Sequence, residues 1–170
     1  AGSCPTSDLP RAIDYAIGAG AADVINLSLG GPRDRLLERL LEQAIVRKVV
    51  VVAAAGEGGA SFPGTMDGII AVGTAESKSL EKALSAPGVD VLSLGPPDGY
   101  DFFSGSSIAA AQVSGVVALL LERSPGLRGA EIRDTLVRTA RRSATPGDGT
   151  RLGVVACAGL AAGGAGFSCA

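Results

Sequence analysis

Apolar residues along this chain alternate between helical spacing and short unbroken runs. Apolar positions that recur every three or four residues predict an amphipathic helix, and a short apolar run bounded by glycines predicts a buried strand. By these criteria the predicted helices cover residues 8–20, 33–46, 106–124 and 130–142. The predicted strands cover residues 23–29, 48–56, 68–75 and 89–95.

The second helix and the second strand carry the clearest patterns. The helix places its apolar residues on one face, which a globular protein turns towards its core. These residues are Leu36, Leu37, Leu40, Leu41, Ala44 and Ile45. The strand, "KVVVVAAAG", is an unbroken apolar run that is typical of a strand covered on both faces. Because strands and helices alternate in the first half, the sequence predicts a three-layer α/β fold, a short parallel sheet with helices on both faces.

The composition agrees with a single α/β domain over residues 1–170. The chain is 46% hydrophobic but only 4% aromatic, and its apolar residues are mostly Ala, Val, Leu and Ile. No apolar stretch reaches the roughly 18 residues that a membrane span needs, so we expect no membrane partner. The net charge of -2 supplies no basic surface, so nucleic acid is excluded as a partner.

The three cysteines leave the redox state of the protein open. Cys157 and Cys169 enclose a tail of small residues and form either a disulfide or two separate thiols, and Cys4 lies near the other end. The chain begins with "AGSC", without Met and without a signal peptide. We therefore expect a processed or partial polypeptide, and the cellular compartment of the protein cannot be read from these residues.

Three segments lie where sites form in parallel sheets, at the carboxyl ends of strands. They are "SLGG" at residues 28–31, "AAGEGG" at 54–59 and the turn before Ser106. Each has an ordinary structural explanation, as a strand followed by a turn, a glycine-rich loop and a helix cap at "GSS". A phosphate-binding loop at residues 54–59 is disfavoured, because this loop has neither the GxxxxGK[ST] pattern nor a lysine. No single segment identifies a function.

The order of the segments carries more information. The chain contains, in this order, "DVINLSLGGP", "VVVVAAAGEGG", "FPGTMDGIIAVGTA" and "APGVDVLSLGPPDGYDFFSGSSIAAAQVSGVVALLL". This series closely resembles the subtilisin-like serine peptidases, or subtilases, and the resemblance continues through "SPGLRGAEIRDTLVRTA" and "GTRLGVVACAGLAA". The resemblance implies a subtilisin-like fold without the family's N-terminal strands, and it favours a secreted or periplasmic location.

The resemblance also assigns roles to single positions. Ser107 matches the nucleophile in the family's Gly-Thr-Ser-Met-Ala motif, with Ser106 in place of Thr and Ile108 in place of Met. The implied substrate-binding positions form the strand that pairs with the substrate backbone and the opposite wall of the specificity pocket. They are Ser28, Leu29 and Gly30, and Ala54, Ala55 and Gly56. Glu57 matches either the oxyanion-hole Asn or, if that Asn is deleted, the residue after it. Neither a metal nor a cofactor is implied.

Two departures from the family pattern bear on activity. The chain contains no histidine, and the family's Asp and His lie in a part that precedes the first helix of this chain. Gln112 stands where the family usually has a structural His that is not the general base. A serine hydroxyl is a poor nucleophile until a base takes its proton. We therefore expect a serine endopeptidase domain that is inactive as this chain, with a peptide-binding pseudopeptidase and a structural scaffold as alternatives.

The resemblance further predicts an exposed sheet edge, because the family's N-terminal strands lie beside the strand that matches residues 23–29. Unpaired backbone groups at an edge are a template for pairing with another chain. We expect a peptide or protein segment in the groove. We also expect a homodimer, or a complex with an N-terminal subtilase half, formed around Val24, Ile25 and Leu27. The alternative is that residues 1–8 fold back over this edge.

Overall fold

The computed structural model describes residues 7–19, 21–56, 61–74, 83–142 and 152–153. Glu57 and the three cysteines lie outside the described residues, so the predictions made for them stay predictions. The described elements are α1 (Asp8–Ile17), β1 (Val24–Leu27), α2 (Arg35–Val46), β2 (Val50–Ala54), β3 (Ile70–Gly73), β4 (Leu84–Ser85), β5 (Val91–Gly95), β6 (Gly99–Phe103), α3 (Ser106–Arg123), α4 (Gly129–Thr139), β7 (Arg141–Arg142) and β8 (Leu152–Gly153).

Six of these strands form one sheet, in the order β1-β2-β3-β4-β8-β7. The pairs from β1 to β4, and the pair of β4 with β8, are parallel, whereas β7 pairs with β8 in the antiparallel direction. Every residue of β2 is buried, because the sheet continues on both sides of this strand and helices cover both of its faces. The predicted parallel sheet is confirmed.

Two apolar layers pack on opposite faces of the sheet. Val50, Val52 and Ala54 join a cluster with residues of α3 and α4, whereas Val51 and Ala53 join a second cluster with residues of α1 and α2. Successive residues of a strand point to opposite faces, so an unbroken apolar run supplies both layers at once. The predicted three-layer architecture is confirmed.

Helix α2 shows where the apolar pattern succeeds and where it fails. Asp34 precedes the helix, and its carboxylate accepts a 2.8 Å hydrogen bond from the backbone N–H of Leu37, which satisfies one of the free donors of the first turn. The buried residues of α2 are Leu37, Leu41 and Ala44. Leu36 is 59% exposed, so the predicted six-residue apolar face is wrong at this position. Helix α2 has more apolar residues than positions that face the sheet and α1, so Leu36 remains exposed.

The prediction that residues 89–95 form the fourth strand of the parallel sheet is wrong. These residues supply β5, which pairs antiparallel with β6 in a separate two-stranded hairpin. The fourth strand of the main sheet is β4, which is only two residues long and produces no periodic pattern in the sequence. One face of the hairpin is apolar and between 57% and 75% exposed; it consists of Leu92, Leu94, Tyr100 and Phe102.

Helix α3 begins at Ser106, as predicted, and ends at Arg123. One side of the helix is buried against the sheet, and the cluster there includes Ala109, Val113 and Val117. The opposite side, which includes Ala111 and Leu119, is exposed. Within the part of the chain that the structure describes, α3 is therefore covered on one side, although its sequence "IAAAQVSGVVALLL" is apolar nearly all round and would favour a helix covered on most sides.

Strand β1 lies at one end of the six-stranded sheet and pairs with β2 alone among the described strands. Its side chains alternate, with Ile25 and Leu27 buried and Asn26 exposed. The predicted sheet edge is thus present in the described part of the chain. Among the described helices, none combines the length and the apolar character needed to cross a membrane.

Candidate active site

The start of α3 is fixed by two glycines. The backbone N–H of Gly105 donates a 2.7 Å hydrogen bond to the carbonyl of Gly88. Gly88 has no room for a side chain, because a Cβ atom there would come within 2.9 Å of the Gly105 carbonyl oxygen and 3.2 Å of Ala109 Cβ. Gly105 itself has φ 134° and ψ 163°, a conformation that only glycine adopts readily. These contacts place Ser106 and Ser107 in the first turn of the helix.

The two serines at the helix start have different environments. Ser106 is only 4% exposed, whereas Ser107 is half-buried and reaches the surface. Backbone N–H groups in a first turn have no partner within the helix, and the helix dipole makes this end electropositive. Of the two hydroxyls, Ser107 is therefore the one placed to react with a molecule from solvent.

Ser107 lies against Ser28, which follows the carboxyl end of β1. The Ser28 hydroxyl donates a 2.9 Å hydrogen bond to the Ser107 backbone carbonyl. The Ser107 hydroxyl in turn points to the Ser28 backbone carbonyl, at a longer distance of 3.4 Å. The structure thus brings together two predicted site residues that are 79 positions apart in the chain.

The residues after Ser28 pass beside residues 61–62, for which no role in the site was predicted. Gly31 forms an antiparallel bridge with Phe62, and its backbone N–H donates to the Phe62 carbonyl at 3.0 Å. A Cβ atom on Gly30 would overlap the Ser61 hydroxyl and lie 3.2 Å from Ser61 Cβ. Residues 61–62 therefore form one wall beside the exposed segment Ser28–Gly30.

The same wall segment also contacts the end of β2. A Cβ atom on Gly64 would lie 3.0 Å from the Ala54 carbonyl oxygen and 3.5 Å from Ala55 Cα. Ala54 and Ala55 are buried, and Gly56 is half-buried with a φ of 79°. The structure thus places Ala54–Gly56 and Ser28–Gly30 at the carboxyl ends of the neighbouring strands β2 and β1, both in contact with residues 61–64. Glu57 is not among the described residues.

Two polar residues near Ser107 were not predicted from the sequence. Asn26 donates a 3.0 Å hydrogen bond through Nδ2 to the Ser28 hydroxyl, and its Oδ1 accepts a 3.0 Å hydrogen bond from the Ser114 hydroxyl. The signal available in the sequence was a single polar residue within the apolar run "VINL" and a serine seven positions after Ser107. Neither spacing predicts that the two side chains meet.

The site has no described group that could act as the base. The hydrogen bond that is described for the Ser107 hydroxyl ends on a backbone carbonyl, which accepts a hydrogen bond but does not take up a proton at neutral pH. Within the described residues, no group of three or more His, Cys, Asp or Glu side chains could hold a metal ion. A separate cleft of about 760 Å³ lies between residues 64–71 and the first turns of α4, and none of the predicted site residues lines it.

Known proteins resemble this chain in both sequence and structure. A sequence model of the subtilase family matches residues 1–155. Subtilisin DY from Bacillus licheniformis is 36% identical in a match that covers 82% of this chain and 57% of that protein. This chain thus spans little more than half the length of that relative.

Two solved structures show the same arrangement of elements. A protease from Pseudoalteromonas arctica superposes with a TM-score of 0.83 at 27% identity, covering 94% of this chain and 59% of that one. Fervidolysin from Fervidobacterium pennivorans, a keratinolytic enzyme related to subtilisin, superposes with a TM-score of 0.79 at 26% identity. This match covers 91% of this chain and 29% of fervidolysin. The match of the family model, the subtilisin-like fold and the position of Ser107 at the start of α3 agree, and the chain belongs to the subtilase family.

Proposed function

We propose that this chain supplies the nucleophile and the substrate-pairing strand of a subtilisin-like serine peptidase domain. The observation that carries this proposal is the contact between Ser107 and Ser28: the Ser28 hydroxyl donates a hydrogen bond to the Ser107 carbonyl, and the Ser107 hydroxyl faces the Ser28 carbonyl at 3.4 Å. A peptide that is paired with residues 28–30 would pass directly in front of the Ser107 hydroxyl. Such proximity between a substrate backbone and a nucleophile is what acyl transfer requires.

We further propose that the chain by itself hydrolyses no peptide. It contains no histidine, and the described hydrogen bond of the Ser107 hydroxyl ends on a carbonyl oxygen. In subtilisin, loss of the catalytic histidine alone lowers kcat about 2 × 10⁶-fold. In this family the base comes from a part of the domain that precedes the segment matched here, so activity depends on a polypeptide that supplies it.

Labelling with a fluorophosphonate tests this proposal, because the probe reacts with activated serines. We expect no stoichiometric labelling of the chain alone. The Ser107→Ala variant sets the background, and Ser106→Ala shows whether any signal belongs to the neighbouring hydroxyl. Stoichiometric labelling that Ser107→Ala abolishes and Ser106→Ala keeps would show an activated nucleophile and overturn the claim of inactivity.

A second candidate function is peptide binding without hydrolysis. Ser28, Leu29 and Gly30 are all exposed, and beyond β1 they offer backbone groups to an extended peptide, the geometry of strand addition. Backbone pairing would supply affinity. A side chain of the peptide would lie between Leu29 and Ala54–Gly56, and contacts there would supply selectivity.

Calorimetry against a library of extended peptides tests this candidate. Gly30→Val should abolish binding, because a side chain at this position meets Ser61. Gly99→Val is the matched control, since Gly99 lies in β6 and a Cβ atom there would have no neighbour within 4 Å. Failure of the wild-type chain to bind any peptide, or equal binding by both variants, would leave only the scaffold alternative.

We also propose that the edge of β1 pairs with a second polypeptide, either another copy of this chain or an N-terminal subtilase segment. β1 has a neighbour on one side only among the described strands, and unpaired edges of sheets recruit other strands. Light scattering at micromolar concentration should show a species larger than a monomer, or a monomer that enlarges when the N-terminal segment is added. A monomer in both conditions, with residues 24–27 protected from hydrogen exchange, would contradict the proposal.

A further inference from the structure

Asn26 is the exposed member of an otherwise apolar strand. Its neighbours Ile25 and Leu27 are buried in the layer formed with α1 and α2. The Asn26 side chain points to the other face of the sheet, where it contacts Ser114 of α3. An amide at this position contributes nothing to the apolar core, so its hydrogen bonds are the feature that needs an explanation.

Three hydrogen bonds form a directed chain from α3 through β1 and back to α3. The Ser114 hydroxyl donates to Asn26 Oδ1 at 3.0 Å, Asn26 Nδ2 donates to the Ser28 hydroxyl at 3.0 Å, and the Ser28 hydroxyl donates to the Ser107 carbonyl at 2.9 Å. The carbonyl can only accept, so the Ser28 proton is committed to it and the Ser28 oxygen must accept from Asn26. This requirement fixes which way the Asn26 amide is turned.

We propose that Asn26 is a positioning residue that acts through Ser28 to hold the substrate-pairing segment in register with Ser107. This inference rests on the proposed function, because the register matters only if residues 28–30 pair with a peptide. Asn26 itself does not touch Ser107, and no described contact brings it to the peptide path. It orients the Ser28 hydroxyl, and that hydroxyl ties the end of β1 to the first turn of α3.

The other strand pairings and hydrogen bonds near this connection constrain the Ser28 hydroxyl less. β1 is four residues long and pairs on one side only among the described strands. The reciprocal contact from the Ser107 hydroxyl to the Ser28 carbonyl is 3.4 Å long, beyond the usual range of an O–H···O hydrogen bond. Ser114 has one proton to share between Asn26 and the Ala110 carbonyl, which it also approaches at 2.9 Å. The Asn26 amide is thus the group that keeps the Ser28 proton directed at α3.

Asn26→Asp separates this role from a role in packing, because it keeps the size of the side chain, replaces the N–H donor by an acceptor oxygen and adds one negative charge, which the control variant below adds as well. A carboxylate accepts hydrogen bonds, so it would draw the Ser28 proton away from the Ser107 carbonyl. We expect the affinity for an extended peptide to fall about threefold to tenfold, the effect of one hydrogen bond. Gln112→Glu is the matched control, since Gln112 is an exposed amide of α3 that donates to the Pro87 carbonyl at 2.7 Å and is not part of the hydrogen-bond chain.

The carbonyl carbon resonance of Ser107 gives a second measurement that needs no peptide. This resonance reports the hydrogen bond at the Ser107 oxygen, so Asn26→Asp should move it in the same direction as Ser28→Ala does, and Gln112→Glu should not. In a Ser28→Ala background, Asn26→Asp should have no further effect on peptide affinity, because residues that act through one another are not additive.

The outcomes separate the two proposals. A wild-type chain that binds no peptide defeats the peptide-binding part of the proposed function, and the Ser107 resonance then decides the role of Asn26 alone. A Ser107 resonance that is unchanged in Asn26→Asp overturns the positioning role, whatever the affinity. Equal affinities of Asn26→Asp and Gln112→Glu, in a chain whose wild type binds, overturn it as well.

Discussion

Replacement of Gly105 by alanine tests the structural basis of the site most directly. Gly105 precedes the first residue of α3 with φ 134° and ψ 163°. In this region of conformational space a Cβ atom clashes with the backbone, and holding a residue other than glycine there costs about 1–3 kcal/mol. Since the Gly105 N–H is bonded to the Gly88 carbonyl, the backbone cannot turn away without losing that hydrogen bond. We therefore expect Gly105→Ala to lower the free energy of unfolding by about 1–3 kcal/mol.

Urea denaturation with a constant m-value measures the free energy of unfolding. For a protein of this size the expected loss corresponds to a fall in Tm of about 2–12 °C, at about 2–4 °C per kcal/mol. The change should also reach the site, because relief of the strain moves the first turn of α3 and with it Ser107. A weaker affinity for extended peptides would accompany the loss of stability.

Gly115→Ala provides the control within the same helix. Gly115 lies in the interior of α3 and is exposed, and a Cβ atom added there would meet no neighbouring group within 4 Å. The same substitution should here raise stability by about 0.5–1 kcal/mol, since alanine loses less conformational freedom in a helix than glycine does. The two variants therefore differ in the sign of the effect. A Gly105→Ala protein as stable as wild type would refute the assignment of strain at the helix start.

Three further predictions concern the core, the surface and an ion pair. Ile132→Ala should lower the free energy of unfolding by about 2–5 kcal/mol in urea denaturation, because Ile132 is fully buried in the core cluster that α4 shares with α3 and the sheet. Replacing Leu94 and Phe102 by serine should reduce the fluorescence of a bound hydrophobic dye and leave Tm nearly unchanged, since both side chains are exposed. A hydrogen bond from Arg33 lowers the pKa of Glu38, so Arg33→Gln should raise that pKa in an NMR titration. Because the folded pKa is the lower one, this pair stabilises the fold above the ordinary glutamate value of about 4.3, and the benefit disappears as the pH falls through the folded pKa. An unchanged pKa of Glu38 in Arg33→Gln, unchanged dye fluorescence in the serine variant, or an unchanged free energy of unfolding in Ile132→Ala would each contradict the corresponding prediction.

The helix start that carries Ser107 could be predicted from local sequence, whereas the roles of Ser107, Ser28–Gly30 and Ala54–Gly56 came from the resemblance to the subtilases. A glycine, two serines and a run of helix formers place the start of α3 near Ser106, because the capping and helix preferences of these residues act over a few positions. The apolar runs likewise identify β2 and β3 as buried parallel strands. Residues 89–95 were wrongly assigned to the main sheet. They do form a strand, β5, but it pairs with β6, and the place beside β3 is taken by β4. A strand's own residues do not specify which strand it pairs with.

The sequence by itself determined the fold class and the position of Ser107, since both depend on periodicity and on preferences of neighbouring residues. Only the tertiary structure decided what surrounds that serine. Ser28 lies 79 positions from Ser107, and Ser114 lies 88 positions from Asn26; packing of α3 against β1 brings each pair together. Hydrogen bonds act over about 3 Å in space, whatever the separation along the chain. No pattern in the sequence could have shown that a single asparagine in β1 connects the end of that strand with the helix that carries Ser107.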